Sequence, residues 1–382
     1  MKFGKKSAGA IVAGLSLVMA LSPVAAFAED GPAVNKTLQL NTGSTVTATF
    51  GFNIQKVQLN TSDNTTNAEG ATVDTNGDDT ALVNDVPDIV ISDIKINGDG
   101  SKTGTTDNKG TSAIALKQGE SFPHAGIYAW KVTEKDDTYR IAQGSNESMA
   151  YDKQVYTVIA TVNNKSDGTL AEPTWKVVKG DTNTTGEANI GKKVGSLDFT
   201  NTYVETPSNT KDGTDLTITK TVEGDQADKT AKNKFHFVVT FSEPTYKNDW
   251  KLADIAATGA NVSKTSDGVF EFDAANGESV SFKNVPVGAT YKVKETQKAG
   301  FEGTYYVNGS SSATATGEKG ADVTADNVAI TEGTANSGEM KNSKEDTPVT
   351  GLIVNNAPFV ITIAVAAAGA VAYGAAKRKL EK

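Results

Sequence analysis

Short runs in which apolar and polar residues alternate, separated by clusters of Gly, Asn, Asp and Thr, fill the interior of this 382-residue chain. From Val34 onward, Val34, Lys36, Leu38 and Leu40 share one face of the first run, and Asn35, Thr37 and Gln39 share the other. A period of two is that of a strand with one buried face. Further runs at 46–57, 89–96, around Ile114, and at 126–134, 151–162, 174–178 and 196–203 complete a first block. A second block repeats the scheme at 216–222, 235–241, 268–272, 279–282, 291–295, 304–307, 328–331 and 339–342. Residues 253–257 are expected to form one helical turn, and no longer interior stretch has helical periodicity. Many short strands with turn signals between them predict an all-β chain of two tandem antiparallel sandwiches. With no cysteine, disulfides cannot staple them. A net charge of −9 argues against nucleic acid as a partner.

The two ends predict where the chain resides. Lys2, Lys5 and Lys6 precede an apolar segment at 8–25 that closes with Ala26-Phe27-Ala28, the order of a secretory signal cleaved after Ala28. At the other end, residues 357–376 contain no charged side chain, a length that matches a bilayer core. Lys377, Arg378 and Lys379 follow directly, marking the cytoplasmic side. Just before this run, Thr347-Pro348-Val349-Thr350-Gly351 resembles the LPxTG-type sorting signal of Gram-positive cell-wall proteins, with Thr347 in place of Leu. That resemblance implies cleavage by a sortase between Thr350 and Gly351, with Thr350 passed as an acyl group to an amine. The expected division is a signal peptide at 1–28, a first domain at 29–205 and a linker at 206–215. A second domain at 216–346 and a sorting signal with its transmembrane segment at 347–382 complete it.

Polar residues interrupt the apolar faces in a repeated order. Lys36 falls among Val34, Leu38 and Leu40; Glu134 falls with Tyr128, Trp130 and Val132; Asn201 falls with Leu197, Phe199 and Tyr203. In the second block Lys220 lies with Leu216, Ile218 and Val222; Glu295 lies with Tyr291 and Val293; Asn342 lies beside Met340. Burying an unpaired charge is expensive, so these groups are expected to neutralise or react. Desolvation lowers a lysine pKa and raises a glutamate pKa. A neutral lysine amine is a nucleophile, and a protonated glutamic acid can polarise an asparagine carboxamide and shuttle protons as ammonia leaves. The product is a Lys–Asn isopeptide bond between the first and last strands of each block.

GIYAWKVTE at 126–134, VPVGATYKVKET at 285–296, LTITKTVEG at 216–224 and LDFTN at 197–201 are similar to strands of the major backbone pilins of Gram-positive bacteria. The likeness is particularly to the streptococcal type with two Ig-like (CnaB-like) isopeptide domains. The resemblance implies bonds Lys36–Asn201 and Lys220–Asn342, promoted by Glu134 and Glu295. The closing strand of the second block, EMKN, departs from the usual apolar-x-Phe-x-Asn form. The resemblance also implies a lysine that accepts the next subunit, expected at Lys193, then Lys192, then Lys179; the YPK-type motif of other pilins is absent. The implied partners are sortase, identical subunits, peptidoglycan, minor pilins and host surfaces, at the cell wall of a Gram-positive bacterium. A minor pilin or singly anchored adhesin that binds a host ligand is the alternative.

No enzymatic turnover is expected. His124 and His236 are the only histidines and lie in different blocks, the serines follow no nucleophile-elbow pattern, and no phosphate loop or zinc pattern occurs. Residues 74–79 glance at a calcium loop, but Gly77 falls at the wrong position, so a solvated turn is expected and no cofactor or metal.

Overall fold

The computed structural model describes residues 31–57, 83–97, 102–103, 108–116, 121–180, 193–208, 210, 213–332 and 336–344. The signal segment, the acidic loop at 74–79, Lys192, Thr350, Gly351 and the apolar run at 357–376 lie outside the described residues. Among those described, no helix is long and apolar enough to cross a membrane.

The first half holds β1 (Ala33–Leu40), β2 (Thr45–Phe50), β3 (Phe52–Lys56), β4 (Ile89–Ile96), β5 (Lys102–Thr103) and β6 (Lys109–Ala113). It continues with β7 (Gly126–Glu134), β8 (Glu147–Ala150), β9 (Tyr156–Val162), β10 (Thr174–Lys179), β11 (Lys193–Val194) and β12 (Leu197–Glu205). A four-stranded sheet, β6-β1-β12-β8, and a five-stranded sheet, β11-β10-β9-β7-β3, share one core, which a small β2-β4-β5 sheet extends. The second half holds β13 (Leu216–Glu223), β14 (Phe235–Ser242), β15 (Ala256–Gly259), β16 (Ser263–Ser266), β17 (Val269–Ala274) and β18 (Ser279–Lys283). Then come β19 (Thr290–Thr296), β20 (Glu302–Val307), β21 (Ala315–Gly317), β22 (Val323–Ala329) and β23 (Asn336–Ser343). Its sheets are β15-β18-β13-β23-β20-β21 and β16-β17-β14-β19-β22, again around one core. Among the described residues the fold is all-β, as the alternation predicts, with one 3-10 turn at Leu252–Asp254.

Three features differ from the sequence expectation. The run at 46–57 is two strands in different sheets. Val46, Ala48, Phe50 and Phe52 are all buried, so the period never falters; yet at Gly51 the chain bends from the small sheet into the five-stranded one, a corner of the kind by which sandwich strands change sheet. The side chains of Asp88, Lys135 and Thr138 close around Gly51, each 3.0–3.2 Å from where a Cβ would stand. Secondly, the sandwiches are not wholly antiparallel. In each half the first and last strands are parallel neighbours: β1 pairs with β12, and β13 with β23. Thirdly, the polar stretch at 206–215 is tied down at both ends. Asp215 is buried, and its carboxylate accepts hydrogen bonds from Ser208 N, Ser208 Oγ and Val285 N at 3.1, 2.7 and 3.0 Å.

The two halves meet through directional contacts. The Asn41 carboxamide donates to Tyr246 O at 2.7 Å and accepts from Tyr246 N at 2.9 Å, in the manner of a backbone pair. Val287 N donates to Glu205 O at 2.9 Å, and Asn248 Nδ2 donates to Ser148 Oγ at 2.9 Å. At this junction the Tyr203 hydroxyl lies 2.8 Å from Glu147 Oε2 and 3.1 Å from Glu205 Oε2. One hydroxyl has one proton to give, so it donates to only one of the two carboxyl groups, and the other can join it only by donating a proton of its own; Glu147 Oε2 also accepts from the Tyr139 hydroxyl at 2.7 Å. Burial, with a contribution from nearby Glu332, pushes Glu205 up from 4.5 to about 7, which makes it the protonated member.

A folded-state pKa above the unfolded value means that the folded chain holds this proton more tightly. The stabilisation is then complete below about pH 4.5 and is lost as pH rises through about 7, amounting to about 3 kcal/mol. Glu205→Gln is expected to remove this component. The stability difference between variant and native chain, measured by denaturant unfolding from pH 4 to 8, should grow in favour of the variant as pH rises. A pH-independent difference would contradict the assignment.

Candidate functional site: two buried lysine, glutamate and asparagine sets

Strand parity aims the six residues. In β1 the inward positions are Val34, Lys36, Leu38 and Leu40, so Lys36 enters the core because its neighbours two residues away must. The same parity turns Glu134 inward at the end of β7 and Asn201 inward in β12. Lys36 Nζ lies 2.7 Å from Glu134 Oε1, with both side chains fully buried. Asn201 Nδ2 donates to the same Oε1 at 2.7 Å. In the second half Lys220 Nζ lies 2.8 Å from Glu295 Oε2, again with no exposure of either side chain, and Asn342 Nδ2 donates to Glu295 Oε1 at 2.6 Å. Both predicted sets are therefore brought together in space, including the Asn342 that its sequence context marked poorly.

The two sets share one register. Lys36 pairs with Phe199, and Asn201 stands two residues beyond; Lys220 pairs with Met340, and Asn342 stands two residues beyond. In each case the glutamate comes from the facing sheet and bridges the pair.

The surroundings remove water. Lys36 Nζ lies 4.6 Å from the centroid of the buried Phe50 ring, and Lys220 Nζ lies 4.2 Å from that of Phe235. Desolvation by this packing brings both lysines down from 10.5 to about 8, against the pull of the neighbouring carboxylate. The same desolvation raises Glu134 and Glu295. Each pair thus shares a proton whose transfer from ammonium to carboxylate leaves the net charge unchanged.

Two further groups touch the asparagine oxygens. Asp152 N donates to Asn201 Oδ1 at 2.9 Å. In the second half Gln297 forms a two-way amide pair with Asn342: Asn342 Nδ2 donates to Gln297 Oε1 at 2.9 Å, and Gln297 Nε2 donates to Asn342 Oδ1 at 3.4 Å. Reading the sequence for isolated buried charges missed both. Gln297 stands two residues after Glu295, at a position of the same parity, and that was the available signal. Asp152 acts through its backbone and left none.

Of the expected acceptor lysines, Lys193 in the edge strand β11 and Lys179 at the end of the adjoining β10 are exposed, with Val178 paired to Lys193. His236 faces solvent beside Asp273, 2.9 Å away.

What can this geometry do chemically? An amine made neutral, a carboxamide and a carboxyl that touches both are the reactants and proton carrier of an amide condensation.

Residues 32–204 match the family described as the Spy0128-like isopeptide containing domain, and residues 214–336 match a domain of unknown function, DUF7601. Among solved structures, the chain is similar to the major pilin from Streptococcus pyogenes, at 20% identity over 83% of this chain and 100% of that one, with a TM-score of 0.32. A second is the major pilin protein T3.2 from Streptococcus pyogenes serotype GAS13637, at 22% identity over 84% and 100%, TM-score 0.32. The pilus-presented adhesin Spy0125 (Cpa) aligns at 18% identity over 50% of this chain and 37% of that one, TM-score 0.27. No curated protein matches. The first of the two family matches spans the first sandwich, from β1 to β12, and holds Lys36, Glu134 and Asn201.

Proposed function

We propose that this chain is the structural backbone subunit of a covalently assembled pilus on a Gram-positive cell surface. In this reading each sandwich is locked by a self-formed Lys–Asn bond. The observation that supports it best is the repeated register: two halves of unlike sequence place lysine, asparagine and a bridging glutamate in one arrangement. The family match over the first sandwich supports it independently.

The condensation follows from the groups present. A proton passes from the Lys36 ammonium to Glu134, leaving amine and carboxylic acid. The amine attacks Cγ of Asn201, a C–N bond forms, and the carbonyl electrons move onto Oδ1. As the tetrahedral centre collapses, the Cγ–Nδ2 bond breaks. Nδ2 leaves as ammonia with one proton that began on Nζ, relayed by Glu134, and Glu134 ends protonated. Lys220, Glu295 and Asn342 repeat the sequence of steps.

The bonds would matter for both stability and load. Closing a loop of this size is worth about 5 kcal/mol in the chain-entropy account. Because β1 and β12 are parallel neighbours, tension entering β1 and leaving β12 shears the ladder between them, and an amide from Lys36 to Asn201 bypasses that ladder.

The remaining proposals concern assembly. Export by residues 1–28, sortase transfer at Thr350 and Gly351, and acceptance by Lys193, or else Lys192 or Lys179, would join subunits head to tail. The exposed edge position of Lys193 supports its accessibility.

The intact mass of the outer portion is expected to fall short of the sequence mass by two ammonia molecules, and by one in Lys36→Ala or Glu134→Ala; an unchanged deficit in those variants excludes the first set. Cell-wall extracts are expected to show a ladder of SDS-resistant species that Lys193→Arg abolishes. Monomer alone in the native extract would favour a singly anchored surface protein.

A further inference from the structure

We propose that Gln297 in the second sandwich, and the backbone N–H of Asp152 in the first, are the oxyanion donors and orienting groups of the two condensations. This rests on the condensation reading above and adds to each set a fourth member.

An asparagine carboxamide can enter such a site in two orientations, of which only one is productive. The leaving nitrogen must face the carboxyl that supplies its proton, and the oxygen must face a donor that can take up negative charge as the amine adds. In the first sandwich a backbone N–H settles the choice, because it can only donate. Asp152 N points at Asn201 Oδ1 at 2.9 Å, which turns Nδ2 onto Glu134 at 2.7 Å. Asp152 is itself held for this purpose: its carboxylate accepts from Gln154 N and from Thr200 N of β12, each at 2.8 Å. The donor is thus pinned to the strand that carries the reacting asparagine.

The second sandwich reaches the same result with a side chain. Gln297 Oε1 accepts from Asn342 Nδ2 at 2.9 Å while Gln297 Nε2 faces Asn342 Oδ1 at 3.4 Å, and Glu295 takes the remaining Nδ2 proton at 2.6 Å. As the carbonyl carbon becomes tetrahedral and charge gathers on Oδ1, this contact strengthens, which is the condition for a donor to lower a barrier. Space for Gln297 has been made in the neighbouring strand. Gly303 of β20 is the register partner of Asn342, and a Cβ there would overlap both Gln297 Nε2 and the buried Val323 and come within 3.2 Å of Asn342 Oδ1. The backbone at Gly303 does not adopt the left-handed conformation that would otherwise call for glycine, so the requirement is room, shared by the Gln297 amide and Val323.

The test follows both bonds in one chain. Full-length protein is made by cell-free synthesis and quenched in acid at intervals. The 220–342 and 36–201 cross-linked peptides are then quantified by mass spectrometry after digestion. Gln297→Leu keeps the volume and removes the donor; Gly303→Ala keeps the donor and displaces it. Both are expected to slow the 220–342 bond by on the order of 10²-fold, with the same final yield and an unchanged rate for 36–201. An equal end point reached slowly separates lost catalysis from misfolding, since an unfolded second sandwich would not condense at all. Wild-type rates for the 220–342 bond in both variants would overturn the proposal. Absence of that bond in the native chain would instead overturn the condensation reading, and this inference with it.

Discussion

A primary amine held away from water determines the chemistry of both halves. Lys36 and Lys220 are placed under aromatic rings with no solvent contact, each paired with one carboxyl group, Lys220 also donating to Met340 O at 3.4 Å. Buried ion pairs are poor sources of stability, because desolvating two charges consumes most of what their attraction returns, and apolar replacements of similar volume often do better. Two such pairs in one cysteine-free chain therefore need a reason other than stability of the pair. Condensation supplies one. In the proposed reaction a buried ammonium and carboxylate would become a neutral amide and a carboxylic acid, so the unfavourable arrangement would persist only until the bond formed.

The second constraint is topological. For a side chain near the start of a domain to meet one near its end, the first and last strands must be neighbours, and here they are parallel neighbours. Parallel pairing also sends the chain in at one end of the sandwich and out at the other, which would suit the end-to-end assembly proposed above. With amides at 36–201 and 220–342, extension would act on the short stretches outside those bonds and on the junction between the halves. That junction is not a free linker. The Asn41–Tyr246 amide pair, the Val287–Glu205 backbone bond and the buried Asp215 brace it.

The residues of the two sets were legible in the sequence because strand parity is a simple rule: a lysine between Val34 and Leu38 must either enter the core or expose them. Strand pairing was not legible. Nothing in the alternation of 46–57 signals the change of sheet at Gly51, since buried residues recur at every second position straight through it. Nor did alternation indicate that the outer strands run parallel, because parity is blind to direction. The short strands at Glu147–Ala150, Ser263–Ser266 and Ala315–Gly317 went unread for a different reason. Their residues are half-buried or exposed, so they are strands by hydrogen bonding to a neighbour and not by an apolar face.

The weak closing strand of the second half shows what the arrangement does and does not require. Leu197 and Phe199 lead to Asn201 in the first half, whereas Gly338 and Met340 lead to Asn342 in the second. The missing volume at Gly338 is filled from the side. Tyr305 on β20 occupies the space so fully that any Cβ at 338 would overlap its ring, and its hydroxyl meets that of Tyr291 at 3.0 Å. Apolar volume can be supplied by whichever strand is adjacent, just as the contact to the asparagine oxygen comes from a backbone N–H in one half and a glutamine in the other. What cannot be moved is the offset of two residues between the lysine's register partner and the asparagine, because in a parallel ladder it sets whether the two side chains reach one carboxyl group. The geometry is held by register, and the side chains around it are free to differ as long as they keep water out.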